Sequence, residues 1–209
     1  QFGIAYNAYI IIDEKTALID TVDAAISQLF IANVEHVLNG RDLDYLVVNH
    51  MEPDHCANVE TILRRYPNCK FVGNAKTFQF FSQFYDFDAS YAYHEVKDLD
   101  ELSLGKHQLR FYFAQMVHWP EVMMTLETTQ HILFSADAYG TFGAHYGSIF
   151  ADEIDYRRNH VDEARRYYAN IVGRFGLPVQ LIMRKLSNDV IKMIASVHGP
   201  IYRESTELA

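Results

Sequence analysis

Residues 45–56 read Y-L-V-V-N-H-M-E-P-D-H-C, an apolar run followed directly by a cluster of acids and histidines. The run at 46–48, Leu-Val-Val, is typical of a buried strand. Four side chains able to bind a metal ion follow within six residues: His50, Glu52, Asp54 and His55. In an extended segment, residues 50, 52 and 54 lie on one side, and Pro53 favours a turn that brings residue 55 beside them. The stretch therefore predicts a metal site at the end of a strand.

The alternative is a polar surface loop that collects acids and histidines without binding anything. The complete H-x-E-x-D-H spacing behind an apolar strand argues against that alternative. Imidazole and carboxylate ligands suit iron, manganese or zinc, whereas soft copper would require Cys or Met. Cys56 is expected to point into the core as a small hydrophobic side chain, so it is not counted as a ligand.

Composition favours one domain without a polyanionic partner. The chain has 209 residues and is 49% hydrophobic, enough for one substantial core, so residues 1–209 are expected to form a single domain. Because Gln1 already lies in a strand-like pattern, residues upstream of it are expected to be missing. The net charge is −9 and no Lys/Arg-rich run occurs, which disfavours nucleic acid and anionic membrane surfaces as partners.

The two cysteines, Cys56 and Cys69, match neither a disulfide scaffold nor a C-x-x-C motif. Free thiols in a reducing cytoplasm are the expectation. The sequence has no signal-peptide pattern and no run of 18 apolar residues. It therefore predicts a cytoplasmic protein that does not span a membrane.

Strands and helices alternate in the first half of the chain. The patterns predict a hairpin of 5–13 and 16–22, a helix over 23–38 ended by Asn39-Gly40, a helix over 57–65, a strand over 71–73 and a helix over 76–85. Further strands are predicted at 91–96, 108–113, 122–126, 131–136 and 190–196, with helical structure over 151–187 broken at 176–178. This order predicts one α/β domain whose sheet is covered by helices.

Three other residues able to bind metal follow predicted strands. His118 follows residues 112–117, Asp137 follows 132–136, and His198 follows 190–197. Each of these residues alone is weak evidence for a metal site, since a histidine after a strand is more often hydrogen-bonded than metal-bound. Together with the cluster they give four histidines and three carboxylates, each at a strand end.

This ordered set resembles the ligand set of the flavodiiron proteins, a branch of the metallo-β-lactamase superfamily. The resemblance covers essentially the whole chain through the segments Y-N-A-Y (6–9), N-H-M-E-P-D-H (49–55), M-V-H-W-P-E-V (116–122), F-S-A-D-A-Y-G-T-F-G-A (134–144), R-R-Y-Y-A-N-I-V-G (165–173) and H-G-P (198–200). It is specific to this branch because Glu52 stands where the zinc hydrolases have a histidine. The resemblance implies a metallo-β-lactamase-like αββα sandwich.

The resemblance also implies two iron ions with an oxo, hydroxo or peroxo bridge. One iron would be held by His50, Glu52 and His118, and the other by Asp54, His198 and, unless it is turned away as in some members, His55. Asp137 would bridge the two ions. Two ferrous ions carry four positive charges, which three carboxylates and one hydroxide neutralise, and this charge balance favours iron in a buried site. A zinc hydrolase is the alternative on ligand type alone.

The resemblance implies reduction of O2 to water or of NO to N2O with electrons from FMN in a flavodoxin-like domain. Only nine residues follow Pro200, whereas such a domain needs on the order of 140. No phosphate loop that would hold FMN is present in the sequence. The sequence alone therefore favours an oxygen-binding and oxygen-sensing module that keeps a peroxo-type state and signals to a partner protein. The alternative is an O2 or NO reductase of the flavodiiron class, served by a separate flavoprotein or cut from a longer chain. A homodimer is left open.

Three aromatic or imidazole side chains are candidates for supporting roles. Tyr6 could donate a hydrogen bond to bound oxygen as a catalytic residue, or be a buried strand tyrosine. Trp119, the only tryptophan, could line the face where a flavin approaches, or serve a core or interface role. His145 lies eight residues past Asp137 and could approach the ligands.

Overall fold

Within the residues that the computed structural model describes (3–145, 147–203 and 206), ten strands form two five-stranded sheets. The first sheet has the order β1-β2-β3-β4-β5 and the second the order β10-β9-β8-β7-β6. The strands of the first sheet are β1 (Tyr9–Ile12), β2 (Thr16–Ile19), β3 (Tyr45–Val47), β4 (Lys70–Gly73) and β5 (Tyr93–Glu95). Those of the second are β6 (Glu101–Ser103), β7 (Gln108–Phe113), β8 (Met123–Glu127), β9 (Ile132–Phe134) and β10 (Met193–Ala195).

Strand direction differs between the sheets. In the first, β1 and β2 form the predicted antiparallel hairpin, and β2 to β5 run parallel, with Leu18 opposite Leu46. In the second, β6 to β9 are antiparallel, whereas β10 is parallel to β9. The strands β7, β9 and β10 therefore run in one direction, and their carboxyl ends lie at the same edge of the sheet.

The two sheets pack face to face around a shared core. Because successive strand residues point to opposite faces, Ile19 of β2 and Val47 of β3 enter this core, which also contains Phe111 of β7. Their neighbours Leu18 and Leu46 belong to a different core, on the outer face of the first sheet. Each side chain fully buried in this way stabilises the fold by roughly 1.5–3 kcal/mol.

Helices cover both outer faces of the paired sheets. They are α1 (Ser27–Leu38), α2 (Pro53–Cys56), α3 (Val59–Arg65), α4 (Ala75–Phe84), α5 (Tyr156–Asn159), α6 (Val161–Tyr167) and α7 (Gly176–Leu186). Val34 of α1, Ile62 of α3 and Phe81 of α4 pack on the first sheet. Ile182 and Leu186 of α7 pack on the second. The layers are helix, sheet, sheet and helix, which confirms the predicted αββα sandwich.

Shorter helical turns join these elements. They are 3₁₀ turns at Ala24–Ile26, Ser90–Ala92, Ala151–Glu153 and Gly173–Phe175, and a π-helix at Tyr168–Val172. The end of α1 at Leu38 agrees with the predicted stop, because Asn39 (φ 48°) and Gly40 (φ 82°) both adopt the left-handed conformation that breaks a helix. None of the helices in the described part of the chain has the length and apolar character that crossing a bilayer requires.

Some sequence-based predictions of local structure are wrong. Residues 50–54 are not one extended segment, because Pro53 occupies the first turn of α2 and Glu52 is the extended residue before it. The predicted break at 176–178 is the start of α7, and the irregular backbone lies before it, at 168–175. The edge strand β6 was not predicted, since only one of its three residues, Leu102, is buried.

Candidate metal centre

Five of the seven candidate ligands lie on loops that follow the carboxyl ends of strands, as predicted, whereas Asp54 and His55 lie in α2. His50 comes three residues after β3, Asp137 three after β9, and His198 three after β10. His118 lies in the loop between β7 and β8. Because β7, β9 and β10 share a direction and the sheets are packed face to face, these loops converge at one end of the sandwich. Loops on a rigid scaffold are common positions for functional residues.

All seven predicted ligand residues come together in two groups. The first group is His50, Glu52, His118 and Asp137. The second group is Asp54, His55 and His198. Within each group, the candidate ligand atoms all lie within 4.8 Å of one another.

Asp137 contacts both groups through different oxygens. Its Oδ2 lies 3.1 Å from His50 Nε2 and 2.9 Å from His118 Nε2, both in the first group. Its Oδ1 lies 3.3 Å from His55 Nε2 and 3.5 Å from His198 Nε2, both in the second. Two ligands at right angles about an ion with bonds of about 2.1 Å are about 3 Å apart. One carboxylate thus faces two positions that metal ions could occupy.

The helical turn α2 divides the H-x-E-x-D-H stretch between the groups. Glu52 precedes the helix, and its Oε2 lies 3.2 Å from His50 Nε2 and 3.1 Å from His118 Nε2. Asp54 and His55 lie inside the helix, and Asp54 Oδ2 lies 3.3 Å from His55 Nε2. The change from extended to helical backbone at Pro53 therefore directs residues on its two sides to different groups.

Buried polar atoms without partners indicate that cations fit this site. His55 is 0% exposed and its Nδ1 has no hydrogen-bond partner, and Asp54 Oδ1 also has none. Leaving such atoms unsatisfied costs about 1–3 kcal/mol each. The donor set of imidazoles and carboxylates suits iron, manganese or zinc. The residues therefore fit the two metal ions that the resemblance implies.

Hydrogen bonds on the far side of two rings orient them toward the metal positions. His50 Nδ1 lies 2.7 Å from Glu121 Oε1, and His198 Nδ1 donates to the Ala5 carbonyl at 2.7 Å. Both rings therefore turn Nε2 toward the centre. Partners of this kind fix the tautomer and orientation of metal-binding histidines.

The carboxylates and histidines of the site form ion pairs with one another. Burial opposes ionisation of Asp137, yet its contacts with His118 and His50 hold the pKa of its carboxyl well below the usual range. Hydrogen bonds from His118 and His50 lower the pKa of Glu52 to about 2. Burial disfavours protonation of His118, but contacts with Asp137 and Glu52 outweigh it and raise its pKa to about 9. The site concentrates negative carboxylates that a cation would neutralise.

Four supporting residues escaped the sequence-based predictions. Glu121, 0% exposed, also accepts from the Met51 amide at 2.9 Å. Tyr167 donates its hydroxyl to Asp137 Oδ1 at 2.8 Å. The remaining two are Asp20 and Asn49. Glu121 and Tyr167 both lie in segments that resemble the family, but neither directly follows a strand, the position that the predicted ligands share.

Asp20 and Asn49 fix the start of the ligand loop. Asp20 follows β2 in a left-handed conformation (φ 57°) and accepts from the Asn49 amide at 2.7 Å and from Asn49 Nδ2 at 3.0 Å. Burial raises the pKa of Asp20 to about 6. Thr125 of β8 donates to Asn49 Oδ1 at 2.7 Å, which connects the two sheets immediately before His50.

The three candidates for supporting roles lie near the ligands. The Tyr6 ring is partly buried and its centroid is 5.6 Å from that of His198. Trp119 is also partly buried, and its ring meets His50 edge to face at 5.2 Å. His145 Nε2 lies 3.1 Å from Asn7 Oδ1, and Asn7 donates to the carbonyls of residues 196 and 199, on either side of His198.

Known proteins resemble the chain in both sequence and fold. The nitric oxide reductase of Moorella thermoacetica is 37% identical over 209 residues, covering 97% of this chain and 50% of that protein. The anaerobic nitric oxide reductase flavorubredoxin of Klebsiella pneumoniae is 35% identical over 211 residues, covering 97% of this chain and 42% of that protein. The chain thus spans half or less of the length of these two curated relatives.

Solved structures superpose closely on the fold. Rubredoxin oxygen:oxidoreductase from Desulfovibrio gigas has a TM-score of 0.91 at 30% identity, covering 99% of this chain and 52% of that one. The flavodiiron protein from Giardia intestinalis has a TM-score of 0.90 at 29% identity, covering 96% of this chain and 48% of that one. The family model described as "ODP family beta lactamase" matches residues 4–199. The chain therefore belongs to the ODP family of β-lactamase-like proteins, and its relatives are flavodiiron proteins.

Proposed function

We propose that this chain is the diiron module of an O2 or NO reductase. The observation that carries the proposal is the position of Asp137, whose two oxygens face two separate groups of ligands. The relatives support the reaction class, since they include proteins named nitric oxide reductase and rubredoxin oxygen:oxidoreductase. They give more support to the reductase alternative than to the oxygen sensor that the sequence alone favours.

The ligands divide between two ions. His50, Glu52 and His118 would hold the first ion, and Asp54, His198 and His55 would hold the second. Asp137, which contacts both groups, would serve both ions. When bound, two ferrous ions supply electrons to O2 or NO. The three carboxylates offset most of the charge of the ions, and the burial of His50, His55 and Asp137 limits access of water.

Other residues of the chain position and protect the substrate. Tyr6 is proposed to donate a hydrogen bond toward it, and burial, which raises the pKa of this tyrosine, keeps the hydroxyl protonated. Trp119 is proposed to form the face that an electron-donating flavin approaches, because it is partly exposed and its ring meets His50 edge to face. His145 positions the His198 loop through Asn7.

Electrons are proposed to come from a flavin domain or a separate redox protein. The relatives are about twice as long as this chain or longer, so a donor elsewhere in a longer protein is compatible with their lengths. The oxygen-sensor hypothesis depended on the absence of a flavin domain from the sequence. The position at which the sequence ends gives no information about the electron donor.

Loading with metal and measuring turnover test the proposal. Protein loaded anaerobically with Fe²⁺ is expected to hold two irons and to consume many equivalents of O2 or NO when NADH and a generic flavin reductase are supplied. The same protein loaded with Zn²⁺ is the control and is expected to consume none. Consumption of a single equivalent would favour the sensor, and one tightly held zinc with hydrolytic activity would favour the hydrolase.

A further inference from the structure

A cavity of about 260 Å³ lies behind the metal centre, between the second sheet and helices α6 and α7. Met124 of β8 and Ile182 of α7 form part of its wall. Asp137 also lines it, so the cavity borders the residue whose carboxylate faces the two ligand groups. Two further lining residues, Tyr168 and Met183, are 49% and 55% exposed, so the cavity opens to solvent beside them.

The wall offers few polar groups to a guest molecule. Among its tyrosines, Tyr167 donates its hydroxyl to Asp137 at 2.8 Å, and the hydroxyl of Tyr156 is hydrogen-bonded to Tyr202 at 2.9 Å. Tyr139 and Tyr168 also line the cavity and add two further hydroxyls, but aromatic faces and aliphatic groups make up most of the lining. Enclosed apolar cavities of about 150 Å³ in proteins bind xenon or benzene. The mainly apolar lining of this larger, open cavity favours small, uncharged, apolar guests over ions.

The backbone is irregular at the same place. Within the described residues, the π-helix at Tyr168–Val172 is the only one, and the residues at both its ends line the cavity. The hydrogen-bonded turn of a π-helix contains one more residue than that of an α-helix, and such turns occur frequently at functional sites. This irregularity is independent of the apolar lining, and it lies between α6 and α7, the two helices that form the outer wall.

We propose that this cavity takes up small uncharged gas molecules, of the class of O2 and NO, and passes them to the Asp137 side of the metal centre. The identity of the gas rests on the proposed function. The binding itself rests on the size, lining and position of the cavity. Such a molecule enters past Tyr168 and Met183 and leaves the cavity at Asp137.

Xenon tests the binding step without any reaction. Crystals of the metal-loaded, full-length protein under xenon pressure are expected to show xenon density in this cavity. Ala164→Phe places a ring into the cavity from α6 and is expected to abolish that density. Ala32→Phe, at an exposed position on α1 outside the cavity, is the matched control and is expected to retain it. If Ala164→Phe does not fold, Val179→Phe fills the cavity from α7. A wild-type cavity that excludes xenon overturns the proposal.

Reaction kinetics test the delivery step. Reduced Ala164→Phe protein with unchanged iron content is expected to react with O2 or NO with a second-order rate constant about tenfold lower, a barrier increase of about 1.4 kcal/mol. The Ala32→Phe control is expected to react at the wild-type rate. An unchanged rate in a variant that excludes xenon overturns delivery through the cavity. Xenon binding in a protein that consumes neither gas would instead contradict the proposed function alone.

Discussion

Asp137 is the residue on which both ligand groups depend. Its side chain is 1% exposed, and each oxygen faces histidines of a different group. A buried carboxylate that served one ion only would leave the second ion with a single carboxylate, Asp54. Removal of a charge shared by two cations is therefore expected to affect both, whereas removal of one terminal ligand affects one.

The first prediction compares these two cases. Asp137→Ala is expected to reduce the metal content from two ions to close to zero, because the cations lose their shared counter-charge. His55→Ala is expected to retain the first ion and part of the second, because His55 belongs only to the second group. Metal analysis of both purified variants is the measurement. Equal losses would mean that Asp137 does not bridge.

The second prediction concerns Glu121, which orients His50. Glu121→Ala removes the acceptor for both His50 Nδ1 and the Met51 amide, and is expected to weaken metal affinity by about 10- to 100-fold. Glu121→Gln keeps a carbonyl oxygen at the same position, and is expected to recover most of that loss. Competition with a metal chelator measures both. Equal weakening in the two variants would show that the charge of Glu121, and not its hydrogen bonds, matters.

At the residue scale, the side chains that could be predicted are those with a distinctive spacing in the sequence. The seven ligand residues could be predicted because four stand within six residues and three follow apolar runs. Glu121 and Tyr167 could not, since a single acid or tyrosine has no spacing that distinguishes it from a surface residue. Their roles follow from contacts between segments distant in the chain, such as the 30 residues that separate Tyr167 from Asp137.

At the scale of elements, the contact between α6 and the loop after β9 positions the Asp137 carboxylate. Gly140 in that loop leaves room for the Tyr167 ring, since a Cβ at this position would lie 2.9 Å from two ring carbons. The ring can therefore approach closely enough for its hydroxyl to reach Asp137. The glycine is required here for space, because its φ is not in the left-handed region.

The third prediction follows from this contact. Gly140→Ala is expected to displace Tyr167 and to destabilise the protein by about 1–3 kcal/mol, as overpacking typically does. Gly176→Ala is the matched control, because an added Cβ there meets no atom within 4 Å, and its effect is expected to stay within about 0.5 kcal/mol. Urea unfolding measures both. Equal stability of the two variants would show that the Tyr167 ring moves aside at little cost.

The fourth prediction concerns the turn between β8 and β9. Burial raises the pKa of Glu127, but hydrogen bonds from the Gln130 and Thr129 amides outweigh it and hold the pKa below its ordinary value of 4.5. A lowered pKa in the folded state stabilises the protein above the unfolded pKa, and this stabilisation is lost as the pH falls through the folded pKa.

The stability difference between wild type and Glu127→Gln is therefore expected to be largest near neutral pH and to shrink below about pH 4.5. Urea unfolding at several pH values measures it. Thr128→Ala, in the same turn, is the control and is expected to show a difference that does not vary over this range. A difference for Glu127→Gln that grows on acidification would contradict the assignment.

For the whole molecule, the metal centre joins the loops of the two sheets. The ligands come from the loops after β3 in the first sheet and after β7, β9 and β10 in the second. Ions bound only by the folded state stabilise it through mass action. With the proposed ions bound, the centre would therefore act as a non-covalent link between layers that otherwise contact mainly through apolar side chains.

The fifth prediction is a loss of stability on metal removal. Chelation is expected to lower the Tm by roughly 10 °C, because several kcal/mol of binding free energy is lost in a chain of this size. Calorimetry with and without EDTA measures it. Asp137→Ala, which is expected to hold no metal, is the control and should not respond to EDTA. An equal Tm with and without EDTA in the wild type would show that the ions contribute nothing to folding.

The αββα architecture could be predicted through its resemblance to a known family, and the hairpin and α1 through local pattern. The pairing of strands far apart in sequence could not. Residues 91–96 precede a run of antiparallel strands in the chain, yet β5 pairs in parallel with β4 of the first sheet. Parallel pairs are joined by long crossovers, so no turn between them indicates which strands are neighbours.

The order of the ligands along the chain has a consequence for synthesis. Every ligand of the first group has been added once residue 137 is made, whereas the second group is completed only by His198, 61 residues later (198 − 137). At roughly 5–20 residues per second, this interval lasts about 3–12 s. During this interval, a nascent chain carries all the ligands of one ion and only two of those in the other group. If the proposed ions bind during synthesis, the direction of translation would therefore allow the ion at His50 and His118 to enter before the ion that waits for His198.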